Sequence, residues 1–489
     1  MLSSKQAWLG QRLMALLDYS IIALYLTSML GLGIYAQYQQ HEADDYYIGG
    51  RRLGTASIAI LWMASWIGGA VVIGSAGRAH QLGITAIWYG LALATGCFLF
   101  ATLFAAKIKR LGAAGGWVTY PDLIEAKFDA RTRVIATITT ALAFVAFAAG
   151  QLSAAASIVQ VMFDWSFGYS LLLTTSVVVI YTALGGFLAI TYTDWLQLLL
   201  LVLGVVVIGV PIAISHGGTP ESLLLQLPTD HFRWGAWGWP GIIALVVSVS
   251  LSFVVSMDSF TRCYAAKSEQ AAKRGPLIAV LLVIIIAGSA TWIGLTSAQL
   301  FPEASAGDQV LPHFIQALFP VGLKGLILVG LLAAVMSTAD ICILTVSANV
   351  SRDIYQRFIH PEVGNATLLR ISITTSLVVG LLAGMMAWRM QDVIDILLIG
   401  FTINGAALVI PTVAAIYWEQ TDAKAAFWSI TGGLVTVLIW QVIGSNTAQP
   451  YFEIDPLWPG LTAATVIFVI GHRGRAPWHR PDRLNTGSN

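Results

Sequence analysis

The sequence predicts an all-α polytopic membrane protein of about 13 transmembrane helices, built as a five-plus-five inverted repeat with broken first and sixth core helices. Three observations predict it. Of the 489 residues, 57% are hydrophobic and only 10% charged, with a mean hydropathy of +0.76; a soluble domain carries about 25% charge. Apolar runs long enough to span a bilayer, roughly 20 residues each, recur along the whole chain. Two of those runs carry polar or glycine interruptions at the head of two groups of similar length.

In chain order the runs fall at 19–38, 55–78, 84–106, 133–162, 167–183, 186–214, 239–262, 276–300, 321–350, 367–388, 393–418, 425–444 and 457–471. The 17 tryptophans suit interfacial belts. Placing the carboxyl terminus inside and the amino terminus outside puts 20 of the 26 basic residues on inner segments. Only Lys5, Arg12, Arg78, Arg233, Lys324 and Arg389 stay outside. Such asymmetry is the positive-inside pattern, and it sets the expected orientation in a bacterial inner membrane.

The long connections are 107–132 inside and 215–238 and 301–320 outside, none of them long enough for a separate domain. The expected division is 1–54 as an amino-terminal helix and loop and 55–214 as the first repeat. An outer loop follows at 215–238, the second repeat at 239–419, and helices with a cytoplasmic tail at 420–489. The tail after His472 reads as disordered, and Met1 to Leu17 shows no clear cleavable signal.

Several function classes are disfavoured. A net charge of +1 offers no reason to expect a nucleic-acid partner. No GxxxxGK[ST] loop occurs, which argues against transport driven by nucleotide hydrolysis in this chain. Cys97, Cys263 and Cys342 lie far apart, without metal or disulfide spacing. His80, His216, His231 and His313 are scattered through outer loops or span ends with no nucleophile–base pattern, so an enzyme is not expected.

The most informative stretch is Gly330-Leu-Leu-Ala-Ala-Val-Met-Ser-Thr-Ala-Asp340, inside an apolar run. A bilayer interior penalises unpaired polar groups, a carboxylate most of all. At helical pitch Ser337 and Asp340 share a face that Thr338 borders. Two hydroxyls and a carboxylate are hard oxygen ligands suited to a hard cation. The alternative is that both hydroxyls bond back to their own helix and Asp340 pairs with a base.

The interruptions lie in 55–78, which contains Gly68-Gly69 just after Trp66, and in 239–262, with serines at 248, 250, 252, 256 and 259 and a carboxylate at Asp258. A loosened helix frees backbone carbonyls. An interrupted first helix in each of two halves is the pattern of an inverted-repeat transporter with its site near the midplane. Close helix packing is the alternative reading of the glycine pair.

Three stretches carry a resemblance. Tyr181-Thr-Ala-Leu-Gly-Gly-Phe-Leu-Ala-Ile-Thr-Tyr-Thr-Asp-Trp-Leu-Gln197 resembles the YTxxGGxxAVxxTDxxQ signature of the sodium:solute symporter family. Tyr47 to Gly54 resembles the segment before that family's first core helix, and Ala333 to Tyr355 its eighth, ending in Asp353 and Tyr355. Within the family, Ala64-Ser-Trp-Ile-Gly-Gly-Ala70, Ser337-Thr-Ala-Asp340 and Gln449-Pro-Tyr451 look like the choline-transporter branch. The tryptophan with which that branch cages an ammonium has no counterpart in 239–262, which instead reads Ser256-Met-Asp-Ser259.

The resemblance implies a leucine-transporter-like fold and sodium-driven import by alternating access. It implies that the main sodium is held by the carbonyls of Ala64, Ile67 and Ala334 and the hydroxyls of Ser337 and Thr338. A second cation site would involve Asp194, Ser337 and Asp340. For these two carboxylates three readings stand open: a second sodium, a protonated carboxyl that couples transport to protons, or an ion pair with a base such as Arg262. The solute would lie beside the first break, nominating Trp66, Gly68 and Gly69. Gln151, Met257, Asp258, Phe401, Thr402 and Asn404 are further candidates. A tryptophan face near a carboxylate suits a cationic amine, although Asp258 stands four residues before Arg262 and could pair with it along the helix.

The expected function is therefore a secondary active transporter that imports a small polar organic solute, an amine or amino acid, together with Na+ across the lipid bilayer. A proton-coupled symporter, a membrane sensor built on the same fold, and a passive channel are the competing readings.

Overall fold

A computed structural model describes residues 51–303, 307–444 and 453–472, with scattered positions between 17 and 31; the side chains of 181, 184–195 and 365 fall outside the description. Helix α1 (Thr55–Trp66) is apolar all round, and Ile58 to Ser65 are buried, as expected of a helix enclosed by others. It stops at Ile67, whose backbone (φ −92°, ψ 61°) leaves the helical region. A π-helical turn at Ala70–Gly74 and α2 (Ser75–Leu82) resume it. The break is packed tightly: a Cβ on Gly68 would lie 2.6 Å from Gln151 Oε1, and one on Gly69 would lie 3.2 Å from it.

After Gly83, at φ 78°, come α3 (Ile87–Leu99), a π turn at Phe100–Phe104 and α4 (Ala105–Gly115). The span expected at 84–106 thus continues as helix into the connection. That connection also holds α5 (Tyr120–Lys127), which is closed by a capping box between Thr119 and Asp122. Helix α6 (Ala130–Phe163) opens on Asp129, whose carboxylate accepts the Thr132 N–H. The two spans expected at 167–183 and 186–214 appear as α7 (Phe167–Leu201), a π-helical stretch Val202–Gly209 and α8 (Val210–Ser215). Their expected boundary falls among the side chains outside the description.

The connection 215–238 carries a short helix α9 (Pro220–Gln226). The second break follows. Helix α10 (Trp239–Val255) ends at Ser256, which is extended (φ −66°, ψ 129°), and α11 (Met257–Ala265) continues at a bend of 45°. Thereafter come α12 (Glu269–Leu300), α13 (Val310–Leu318) and α14 (Leu323–Ala348), which passes into a π-helical segment Asn349–Ile359. Helices α15 (Asn365–Met390), α16 (Val393–Tyr417), α17 (Ala423–Gly444) and α18 (Leu457–Gly471) complete the described chain.

Among the described residues eight helical stretches are long and apolar enough to cross a membrane, nine if α10–α11 counts as one. Thr55–Trp66, Phe167–Ile180 and Leu457–Gly471 are shorter apolar helices. The first expected span, 19–38, lies largely outside the described residues, as does the tail after His472. One buried core runs through α1, α3, α6, α10, α14 and α16.

The broken helices are tied together at one end. Leu53 N donates to Ala265 O at 3.1 Å and Lys267 N to Leu53 O at 2.9 Å, joining the entry of α1 to the exit of α11. At the same end Arg133 meets Asp122 at 3.0 Å, Glu125 at 2.5 Å and the fully buried Asp353, which links α6, α5 and the extension of α14.

At the other end Arg78 on α2 pairs with Asp392 at 3.2 Å and Asp395 at 3.0 Å and lies over the Trp237 ring. Asp308, in the connection before α13, accepts the Val393 N–H at 3.0 Å. Withdrawal from water, and then the Asp392 carboxylate, pushes the Asp308 pKa up to about 7, against the Val393 N–H and the Arg78 charge, which lower it. A carboxyl whose folded pKa is raised binds more protons folded than unfolded, so stability falls as pH climbs towards that value. Between about pH 5 and pH 8 the melting temperature in detergent should therefore drop more steeply for the native protein than for Asp308→Asn. Equal slopes would remove Asp308 as the cause.

Candidate functional site

The end of α1 exposes carbonyls that no helical N–H can reach. Ile67 N still donates to Met63 O at 2.8 Å. The next acceptor, Ala64 O, would have been served by Gly68 N in a continuous helix. It is met instead across the helix interface by Thr338 Oγ1 of α14 at 3.0 Å. Thr338 Oγ1 also lies 3.1 Å from Ala334 O, and Ser337 Oγ donates to Ala334 O at 3.2 Å. Both hydroxyls thus bond back to their own helix, as one expectation held, and Thr338 in addition bridges to the break. The carbonyls of Ala64 and Ala334 and the hydroxyl of Thr338 form one buried group of neutral oxygens. Ile67, 1% exposed, sits at the break beside them in sequence. Among the described residues no cluster of His, Cys, Asp or Glu could hold a metal ion, so a cation here would rely on those neutral oxygens.

Asp340 is fully buried one helical turn beyond Ser337 and accepts a hydrogen bond from Thr182 Oγ1 of α7. Thr182 is the second residue of the stretch that resembles the family signature, yet reading from sequence passed over it. The Asp194 side chain lies outside the description. Arg262, the base named as an example for an ion pair with these carboxylates, pairs with Asp258.

That pair organises the second break. Arg262 Nη1 donates to Asp258 Oδ2, and Ser256 Oγ to Asp258 Oδ1. Arg262 Nη2 reaches Ser65 Oγ on α1 and so ties one broken helix to the other. The guanidinium lies 5.8 Å from the Trp62 ring centroid. All of these groups are buried.

Beside the two breaks is a narrow cavity lined by Ser65, Trp66, Gly68, Gln151, Asp258 and Phe401, with Thr338 at its margin. Trp66 stacks on Phe253 at 4.0 Å between centroids and on Phe401 at 6.0 Å, and meets Phe147 edge-on at 6.3 Å. Gln151 Oε1 accepts the N–H of Gly69 at 2.8 Å, satisfying a donor that the break leaves free. Five of the nominated solute residues thus line one cavity, and Gly69 joins them through Gln151. Met257, Thr402 and Asn404 are buried but outside the lining. The Asn404 amide is fully buried, and among the described residues neither end has a partner. Phe147, Phe253 and Ser65 were missed. Ser65 was the one with a sequence signal, since it stands between the nominated Ala64 and Trp66.

Comparison with known proteins bears on what this arrangement does. The model of the sodium:solute symporter family matches residues 46–433. The chain belongs to that family. The symporter is 25% identical to the sodium/pantothenate symporter of Escherichia coli (strain K12) over 465 residues, covering 92% of this chain and 95% of that one. It is likewise 25% identical to the sodium/proline symporter of the same organism over 471 residues, covering 93% and 92%. Among solved structures, a substrate-bound, outward-open Na+-coupled sialic acid symporter superposes with a TM-score of 0.76 at 21% identity, covering 95% of this chain and 99% of that one. A nucleobase-cation-symport-1 family transporter, closed around bromovinylhydantoin, gives a TM-score of 0.55 at 16% identity, covering 87% and 94%. The symporter therefore has the leucine-transporter-like fold expected of it. It is a multi-pass membrane protein that moves a solute with sodium, and it is not an enzyme.

Proposed function

We propose that this symporter imports a small amine-bearing solute, an amino acid foremost, bound between the two helix breaks with its main sodium at Ala64, Ile67, Ala334, Ser337 and Thr338. The observation that carries the reading is the joint placement of cavity and oxygen group at one break. Thr338 contributes to both: its hydroxyl meets Ala64 O, and its side chain borders the cavity. A solute in the cavity and a cation among the oxygens would both stabilise the same packing of α1 against α14, which is how one binding event favours the other.

Trp66 and Asp258 supply an aromatic face and a carboxylate edge for an ammonium. Gln151 supplies an amide for a carboxylate or carbonyl. The proline carried by one relative is an amino acid, which agrees with this reading. A second cation at Asp340 with Ser337 and Asp194 is also proposed, as sodium or as a proton on the carboxyl; the Thr182 hydrogen bond to a fully buried Asp340 supports a cation-linked role there.

The test is a thermal-shift screen of amino acids, amines, organic anions and sugars, with and without sodium, followed by uptake into proteoliposomes. Stabilisation by an amine-bearing solute that deepens with sodium is expected. A preferred solute that is an anion or an uncharged sugar would overturn the class.

The amino terminus is placed outside and the carboxyl terminus in the cytoplasm, on the basis of the 20 basic residues of 26 assigned to one side. A cysteine at Ser4 should then be labelled from outside and one at Ser488 only from inside. Labelling of both from one side would overturn the assignment.

A further inference from the structure

Helices α7 and α15 meet along a groove unconnected with the solute cavity. Gly168, Leu172, Thr175, Leu381, Met385 and Trp388 line it, and Arg389 stands at one end. The groove exists because two small residues leave room: a Cβ on Gly168 would stand 2.6 Å from the Trp388 ring, and one on Gly384 would stand 3.3 Å from Thr175 Cγ2. Leu172, Leu381, Met385 and Trp388 are all more than half exposed, so the groove opens on an apolar outer surface of the bundle.

Its polar groups are not spread evenly. Arg389 lies at one end with Ser166 and Tyr169, and the remaining length is apolar but for Thr175. Among the described residues no carboxylate pairs with Arg389. The Thr175 hydroxyl is buried against Gly384 and does not open onto the groove. Thr175 faces Gly384, and Arg389 follows five residues later, about 7.5 Å along the helix axis. A cation at one end and an apolar channel beyond it are the complement of an amphiphile with an anionic head.

We propose that this groove binds one anionic glycerophospholipid. Its phosphate would lie on the Arg389 guanidinium, and an acyl chain would follow Leu172, Leu381 and Met385. Arginine suits the head because its planar fork matches a phosphate bidentately. Tyr169 and Trp388 flank the same end, where aromatic residues sit at the level of the head groups.

Native mass spectrometry of the purified full chain in detergent tests this, with dioleoyl phosphatidylglycerol and dioleoyl phosphatidylcholine as probes. One phosphatidylglycerol should be retained at concentrations where phosphatidylcholine is lost. Arg389→Gln, an exposed change that leaves the core untouched, should weaken phosphatidylglycerol about 10-fold and leave phosphatidylcholine unaltered. Met385→Trp, which fills the groove, should weaken both, and inorganic phosphate should not compete. The proposal is overturned by equal retention of the two lipids, by unchanged phosphatidylglycerol binding in Arg389→Gln, by unchanged binding in Met385→Trp, or by competition from inorganic phosphate.

Discussion

Replacing Ser337 and Thr338 together by alanine is expected to raise the sodium concentration needed for half-maximal uptake by about 10-fold or more, each hydroxyl contributing roughly 1 kcal/mol. The fold should survive. Among the described residues Ser337 bonds only within its own helix, to Ala334 O, so its loss strands no distant group among them. Thr338 is the sensitive member. Its removal leaves Ala64 O, at the break, without the donor that now meets it. Water or the cation can meet that carbonyl instead, because the break leaves Ala64 O without a helical N–H. Sodium titration of uptake and of thermal stability separates the two effects. Unchanged sodium dependence in the double variant would move the main cation away from this interface.

The two breaks were legible because their causes are local. Gly68-Gly69 has no side chains to hold the helix and lies against Gln151 too closely to admit any. The second break was legible less directly, from the serines and Asp258 around Ser256. The helices on either side were legible from apolar length alone, with ends displaced where an amphipathic or capped turn lengthens them, as in α4 and at the start of α12, where Ser268 accepts the Ala271 N–H.

What sequence could not reveal depends on distance along the chain. Arg78 finds Asp392 and Asp395 314 and 317 residues away, and Arg262 reaches Ser65 across 197. No periodicity encodes such pairs, since helical spacing fixes a residue's face but not the neighbour facing it. Phe253 illustrates the same limit. It is unremarkable in a run of valines until Trp66 stacks on it. Asn404 was nominated by its position after Phe401, but a rotation of less than half a turn separates lining a cavity from being buried behind it, and only the packed helices decide that.

Asp258 is where local and distant information must be combined, and its neutralisation should have the largest consequence. Asp258→Asn alone is expected to destabilise the protein by about 3–5 kcal/mol, because it strands a buried guanidinium without its counter-charge. Arg262 is 6% exposed and is also bonded to Ser65, so it cannot swing to water without giving up that tie between α11 and α1. That single variant therefore cannot distinguish a solute ligand from a structural partner. The double variant Asp258→Asn with Arg262→Gln removes both charges and restores neutrality, so most of the stability should return. Solute affinity then discriminates. If the ammonium lies between Trp66 and Asp258, the well-folded double variant should bind sodium normally and lose solute affinity by about 30-fold or more, the effect of leaving a desolvated cation unpaired. If Asp258 serves only to hold Arg262 against Ser65, affinity for the solute should return with the fold. The cavity lining includes Asp258 but not Arg262, so on the proposed solute site the loss of affinity is the expected result.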